Sequence, residues 1–132
     1  MNDAKNSPAP ETILVVEDEV LVRTAISEYL RHCGYQVVEA ATAGEAIVLL
    51  QEPALVINIL FSDVIMTGGM DGFGLARWVR AHRPDVEVLL AGNIEKAAET
   101  AGELCEEGPH LQKPYEPQAI VDWIKKLRAS KK

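Results

Sequence analysis

The chain has 132 residues, 48% of them hydrophobic and 25% charged, with a formal net charge of −7. This is the length and composition of one globular domain, with roughly two-thirds of the unfolded surface buried in a single core. An acidic balance with scattered Lys and Arg argues against direct nucleic-acid binding, and the lack of a signal pattern or an apolar stretch near the roughly 18 to 20 residues of a bilayer span points to a cytoplasmic protein with no membrane partner.

Residues 1–10 read as a flexible N-terminal segment, 11–128 as the domain and 129–132 as a tail. The first apolar run, Thr12 to Val16, reads as a strand and is followed at once by Glu17 and Asp18. Val22, Ile26, Tyr29 and Leu30 then recur at helical spacing, and Gly34 is placed to end that helix. A second strand is expected over Tyr35 to Ala40. Thr42 with Glu45 forms a capping-box pattern for the next helix, whose apolar stripe is Ala43, Ala46, Ile47 and Leu50 and which Pro53 follows.

A third strand, Val56 to Ser62, leads into Asp63. Leu75, Ala76 and Val79 mark a helix that must stop before Pro84. The fourth strand runs from Val86 to Ala91. The helical segment Glu95 to Glu106 has Gly102 inside it and Leu104 as its one large aliphatic, which predicts the least stable helix. A weak fifth strand around His110 to Gln112 precedes Lys113-Pro114, and a last helix starts near Pro117 with Ile120, Val121, Ile124 and Leu127 inward. Cys33 and Cys105 lie far apart in sequence near the ends of helical patterns, and read as reduced structural thiols.

Apolar runs alternating with amphipathic helices give a parallel sheet with helices on both faces. Five such units imply a flavodoxin-like doubly wound α/β domain, strand order 2-1-3-4-5, whose ligands bind beyond the carboxyl ends of strands 1 and 3. Those strands end in Glu17-Asp18 and Asp63. A capping role for Asp18 is the plain alternative. Three carboxylates at one edge would otherwise repel one another, so a hard cation is expected there, and Mg²⁺ takes oxygen ligands while keeping several waters.

With these motifs in order, the chain closely resembles the receiver domain of bacterial two-component response regulators, the CheY-like family. The matching residues are Glu17-Asp18, Asp63 within Ser62-Asp63-Val64-Ile65-Met66, the turn Gly69-Met70-Asp71-Gly72, the Ala91-Gly92 step and Lys113-Pro114. The resemblance implies that Asp63 accepts a phosphoryl group from a histidine kinase or phosphotransfer protein. It also implies that Glu17, Asp18, Asp63 and the Ile65 carbonyl hold Mg²⁺, and that Lys113 contacts the carboxylate and the phosphoryl oxygens. Such a domain is a phosphoacceptor rather than an enzyme in its own right.

Two positions depart from the family pattern. Ala91 stands where a Ser or Thr is usual, and His110 stands at the aromatic switch position. Gly92 leaves room for a phosphoryl group and offers a backbone N–H. These departures put conformational signalling in doubt more than phosphorylation, and they leave open a pseudo-receiver, an interaction module without productive phosphorylation. After Met66, Thr67 replaces the usual Pro and Gly68-Gly69 adds flexibility to the loop. An aspartate-nucleophile phosphatase is disfavoured by Ile65, two residues after Asp63, where a second Asp is usual. A nucleotide binder is disfavoured because the Gly-rich stretch Gly68 to Gly74 lies outside the first strand-to-helix turn.

Overall fold

The computed structural model describes residues 11–66, 68–107, 121–122 and 125–126. Its elements in chain order are β1 Thr12–Val16, α1 Val20–His32, β2 Gln36–Ala40, α2 Ala43–Leu50, β3 Ile59–Asp63, α3 Gly72–His82, β4 Glu87–Ala91 and α4 Ile94–Glu107. The described strands form one parallel sheet in the order β2-β1-β3-β4, as the alternating pattern predicts. The expected fifth strand and the start of the last helix lie outside the described residues.

The central strands β1 and β3 are buried along nearly their whole length because both faces of the sheet are covered. One face carries Ile13, Val15, Ile59 and Phe61, packed against α1 and α4. The other carries Leu14, Val16 and Leu60, packed against α2 and α3. α1 and α3 present the stripes expected of them: Val22, Ile26, Tyr29 and Leu30 in α1, and Leu75, Ala76 and Val79 in α3, are all buried, while in α2 Ala43, Ala46 and Leu50 are buried and Ile47 partly so. α4 is covered differently. Its core face is built from Ala97, Ala98, Ala101 and Cys105, small residues that bring it close to α1.

Local chemistry sets the helix ends. Gly34, at φ +104°, closes α1 with a Schellman pair, in which Tyr35 N–H donates to Leu30 O and Gly34 N–H to Arg31 O. Thr42 Oγ1 accepts from Glu45 N–H, and Glu45 Oε1 accepts from Ala41 N–H, one residue earlier than in the standard box. Asp71 caps α3 by accepting from Gly74 N–H at 2.8 Å. At the far end, Arg83 pairs with Asp85 and donates to Leu50 O at 2.7 Å, tying the end of α3 to that of α2.

The structure corrects one expectation. Cys33 and Cys105 are joined as a disulfide, with Cα atoms 5.6 Å apart. The pairing arises because the alanine stripe of α4 lays its last turns against the carboxyl end of α1, a tertiary contact that cysteine spacing does not encode. Beside the bridge, Tyr35 Oη donates to Leu104 O at 2.6 Å.

Candidate functional site

Glu17 follows β1 directly and is held in line with it, because its N–H donates to Ala40 O at the end of β2. Asp63 is the last residue of β3 and pairs in register with Ala91 of β4, and Val64 N–H extends that ladder by donating to Ala91 O. The carboxylates of Glu17, Asp18 and Asp63 therefore converge beyond the same end of adjacent strands. Each offers an oxygen within 4.8 Å of the others, and all three residues are half-buried. Asp18 does not cap α1: Glu19 occupies the N-cap position, and Glu17 Oε2 accepts its N–H at 2.9 Å.

Crowding acidic groups in a partly dry cleft favours their neutral forms. Burial, reinforced by the neighbouring Asp63 and Asp18 carboxylates, pushes Glu17 from its ordinary 4.5 up to about 8, although the Glu19 N–H pulls against the rise. Burial also raises Asp63, opposed by its hydrogen bond with Glu17 and by the backbone N–H groups of Ile65 and Val64. Without a cation the cluster thus holds a proton. All-oxygen donors with that electrostatic deficit match a hard divalent ion such as Mg²⁺.

The cluster opens into a cavity of about 300 Å³. Its polar rim is Glu17, Asp18, Asp63, Gly92 and Asn93, and its apolar wall includes Val22, Ile26, Phe61, Ile94 and Ala97 from α1, β3 and α4. Ile65 lines the mouth and is 74% exposed. Ala91 also lines the cavity, is buried, and brings no hydroxyl to the position beside Asp63. A Cβ added at Gly92 would meet open space. Lys113 and His110 lie outside the described residues.

Two contributors were not singled out in the sequence. Asn93 borders the cavity and caps α4, accepting from Lys96 N–H at 2.7 Å; an Asn three residues before a helical segment's first Lys was the available signal. Arg23 donates to the Glu17 carbonyl at 2.9 Å and pairs with Glu39. It braces the backbone beneath the acidic pair, and no motif announces it.

The family model for the response regulator receiver domain matches residues 13–125. The chain is a response regulator receiver domain. This receiver domain is 32% identical over 117 residues to the sensor kinase CckA of Brucella abortus, covering 88% of this chain and 12% of that protein. It is also 32% identical over 115 residues to the response regulator FleR of Pseudomonas aeruginosa, covering 85% of this chain and 23% of that one. It thus spans less than a quarter of the length of these two relatives. Among solved structures, a putative response regulator from Chloroflexus aurantiacus is 30% identical, with a TM-score of 0.58, covering 91% of this chain and 98% of that one. The response regulator TrrA of Thermotoga maritima, solved in complex with Mg²⁺ and BeF, is 27% identical with a TM-score of 0.57, covering 62% of this chain and 69% of that one. Among the described residues of the receiver domain, no helix is long and apolar enough to cross a membrane.

Proposed function

We propose that this receiver domain accepts a phosphoryl group on Asp63 from a phosphohistidine of a sensor kinase or phosphotransfer protein. The observation that carries the reading is the placement of Asp63 at the end of β3, with the Glu17 and Asp18 carboxylates converging on it. The Asp63 oxygen attacks phosphorus as the bond from phosphorus to the histidine nitrogen breaks, and an acyl phosphate forms. Phosphoryl transfer asks little covalent chemistry of the protein beyond an aligned nucleophile and neutralised equatorial oxygens. Glu17, Asp18, Asp63 and the Ile65 carbonyl would hold Mg²⁺, which supplies that neutralisation when bound. The Glu19 N–H fixes the Glu17 carboxylate, while the Arg23 contact to the Glu17 carbonyl holds the backbone. Lys113, by its place in the family motif, adds a compact cation able to reach carboxylate and phosphoryl oxygens. The open space at Gly92 admits the phosphoryl group, to which its backbone N–H would donate.

The reading is tested by incubation with Mg²⁺ and acetyl phosphate followed by intact-mass measurement. Wild type is expected to gain one phosphoryl mass, and Asp63→Ala none. A second reading, the pseudo-receiver, is favoured by Ala91, which leaves the position paired with Asp63 without a hydroxyl. Absence of labelling by any donor would select it. TrrA has also been solved in complex with the histidine kinase ThkA, at 26% identity to this chain and a TM-score of 0.56, which supports a kinase as the partner.

A further inference from the structure

The two cysteines join the carboxyl end of α1 to the last turns of the helix whose first turn walls the acidic cavity. Cys33 is the C-cap of α1, and Cys105 lies in α4, whose Ile94 and Ala97 line the cleft. Between these points α4 packs on the α1 face of the core through buried Ala97, Ala98 and Ala101, which contribute little apolar area each, with the larger Ile94 and Leu104 only partly buried beside them. The Tyr35 to Leu104 hydrogen bond is the polar tie beside the bridge. The disulfide is therefore the strongest described link fixing α4, and through it the segment Gly92 to Ala97 at the cleft.

From this arrangement we propose that Cys33–Cys105 is a reversible redox site that sets how firmly α4 closes the acidic cleft. The proposal rests on the phosphoacceptor reading for its consequence, not for its chemistry. The oxidant is a low-molecular-weight disulfide and the reductant the corresponding thiol. One cysteine thiolate attacks the small disulfide and releases one thiol. The second cysteine then attacks the mixed disulfide and releases the other, so the dithiol loses two electrons and two protons as the small disulfide becomes two thiols. Both sulfurs are buried, so exchange proceeds through opening of the helix end. Cys33 is well placed for it, with exposed Arg31 and His32 before it and the left-handed Gly34 after it. Where a disulfide forms in a reducing, intracellular compartment it is usually transient or redox-sensing.

The test equilibrates the full chain in glutathione buffers of graded ratio and counts free thiols by alkylation and intact mass, with hydrogen exchange followed at 92–97 and 98–107 in the oxidised and reduced forms. Reversible conversion is expected, with exchange in both segments at least about tenfold faster after reduction. Acetyl phosphate labelling of Asp63 is expected to slow by at least about threefold in the reduced form, because the apolar wall no longer excludes water from the cleft. The Cys33→Ser/Cys105→Ser variant should match the reduced protein and ignore the glutathione ratio. A bridge that survives reducing glutathione, unchanged exchange at 92–97, or labelling as fast or faster after reduction would overturn the proposal. If neither form is labelled, the phosphoacceptor reading falls, and the thiol counts and exchange rates decide the redox site by themselves.

Discussion

Gly72 packs against the backbone of Asp63 so closely that a methyl group on its α-carbon would run into the Asp63 carbonyl oxygen and lie 2.8 Å from Val64 Cα. Both obstacles are main-chain atoms, and the Gly72 N–H donates to Val64 O at 2.8 Å, so neither side can retreat. The start of α3 is thereby clamped to the strand end that presents the Asp63 carboxylate. Gly72→Ala should cost about 1 to 3 kcal/mol, as overpacking does, and should weaken Mg²⁺ binding by displacing Asp63. Gly74→Ala is the control: the added methyl would meet Met70 Cγ at 2.7 Å, a flexible side chain that can rotate away. Urea midpoints of the two variants should separate; equal midpoints would refute the clamp.

The metal-free protein should lose stability as pH rises. Folded Glu17 titrates at about 8 against an ordinary 4.5, so between these values the folded state holds more protons than the unfolded one and unfolding free energy falls. The contribution is complete below about pH 4.5 and gone above about pH 8. Asp63 is shifted the same way by its own burial. Thermal melts from pH 5 to 9 should therefore show a declining midpoint without Mg²⁺ and a flatter profile with it, and Glu17→Gln should remove much of the slope. Calorimetric Mg²⁺ titrations at pH 7 in buffers of different ionisation enthalpy should show protons released on binding.

The missing hydroxyl beside Asp63 predicts a muted response to phosphorylation. Ala91→Thr should add one charge-assisted hydrogen bond to the phosphoryl group, on the order of 1.5 to 3 kcal/mol where geometry is good. The acyl phosphate of that variant should then outlast that of wild type. In wild type, beryllofluoride with Mg²⁺ should shift amide resonances around Asp63 and Gly92 while leaving most of β4 unmoved. A cooperative shift along the whole of β4 would contradict this.

Tyr35→Phe removes the donor to Leu104 O without changing the ring that fills the core between α1 and α4. A loss of about 1 kcal/mol is expected, the usual net worth of a buried hydrogen bond, with faster amide exchange in the last turns of α4. Chemical denaturation with native-state exchange checks both parts.

The parallel sheet was legible because β1 and β3 are built on the apolar runs Ile13 to Val16 and Ile59 to Phe61 and helical stripes lie between them. Boundaries were less so. The third strand was expected from Val56, yet it starts at Ile59: Asn58 still bonds through its backbone to Thr12 and Glu87, but Val56 is left 67% exposed. It runs one residue further than expected because Asp63 itself pairs with Ala91. The acidic cluster was readable from strand ends alone, as Glu17, Asp18 and Asp63 follow apolar runs whose order places them side by side. The bridge between Cys33 and Cys105 was not. It depends on Ala97, Ala98 and Ala101 docking α4 onto α1, and an Ala- and Glu-rich segment does not say which neighbour its small face meets.

The bridge between Cys33 and Cys105 spans 72 positions and turns the intervening chain into a covalent ring containing Asp63 and the exposed glycines Gly68 and Gly69. A protease that nicks the backbone at those glycines would open the ring without dividing the molecule. The cut protein would gain the mass of one water, migrate as a single species, and fall into two pieces only when a thiol reductant is added.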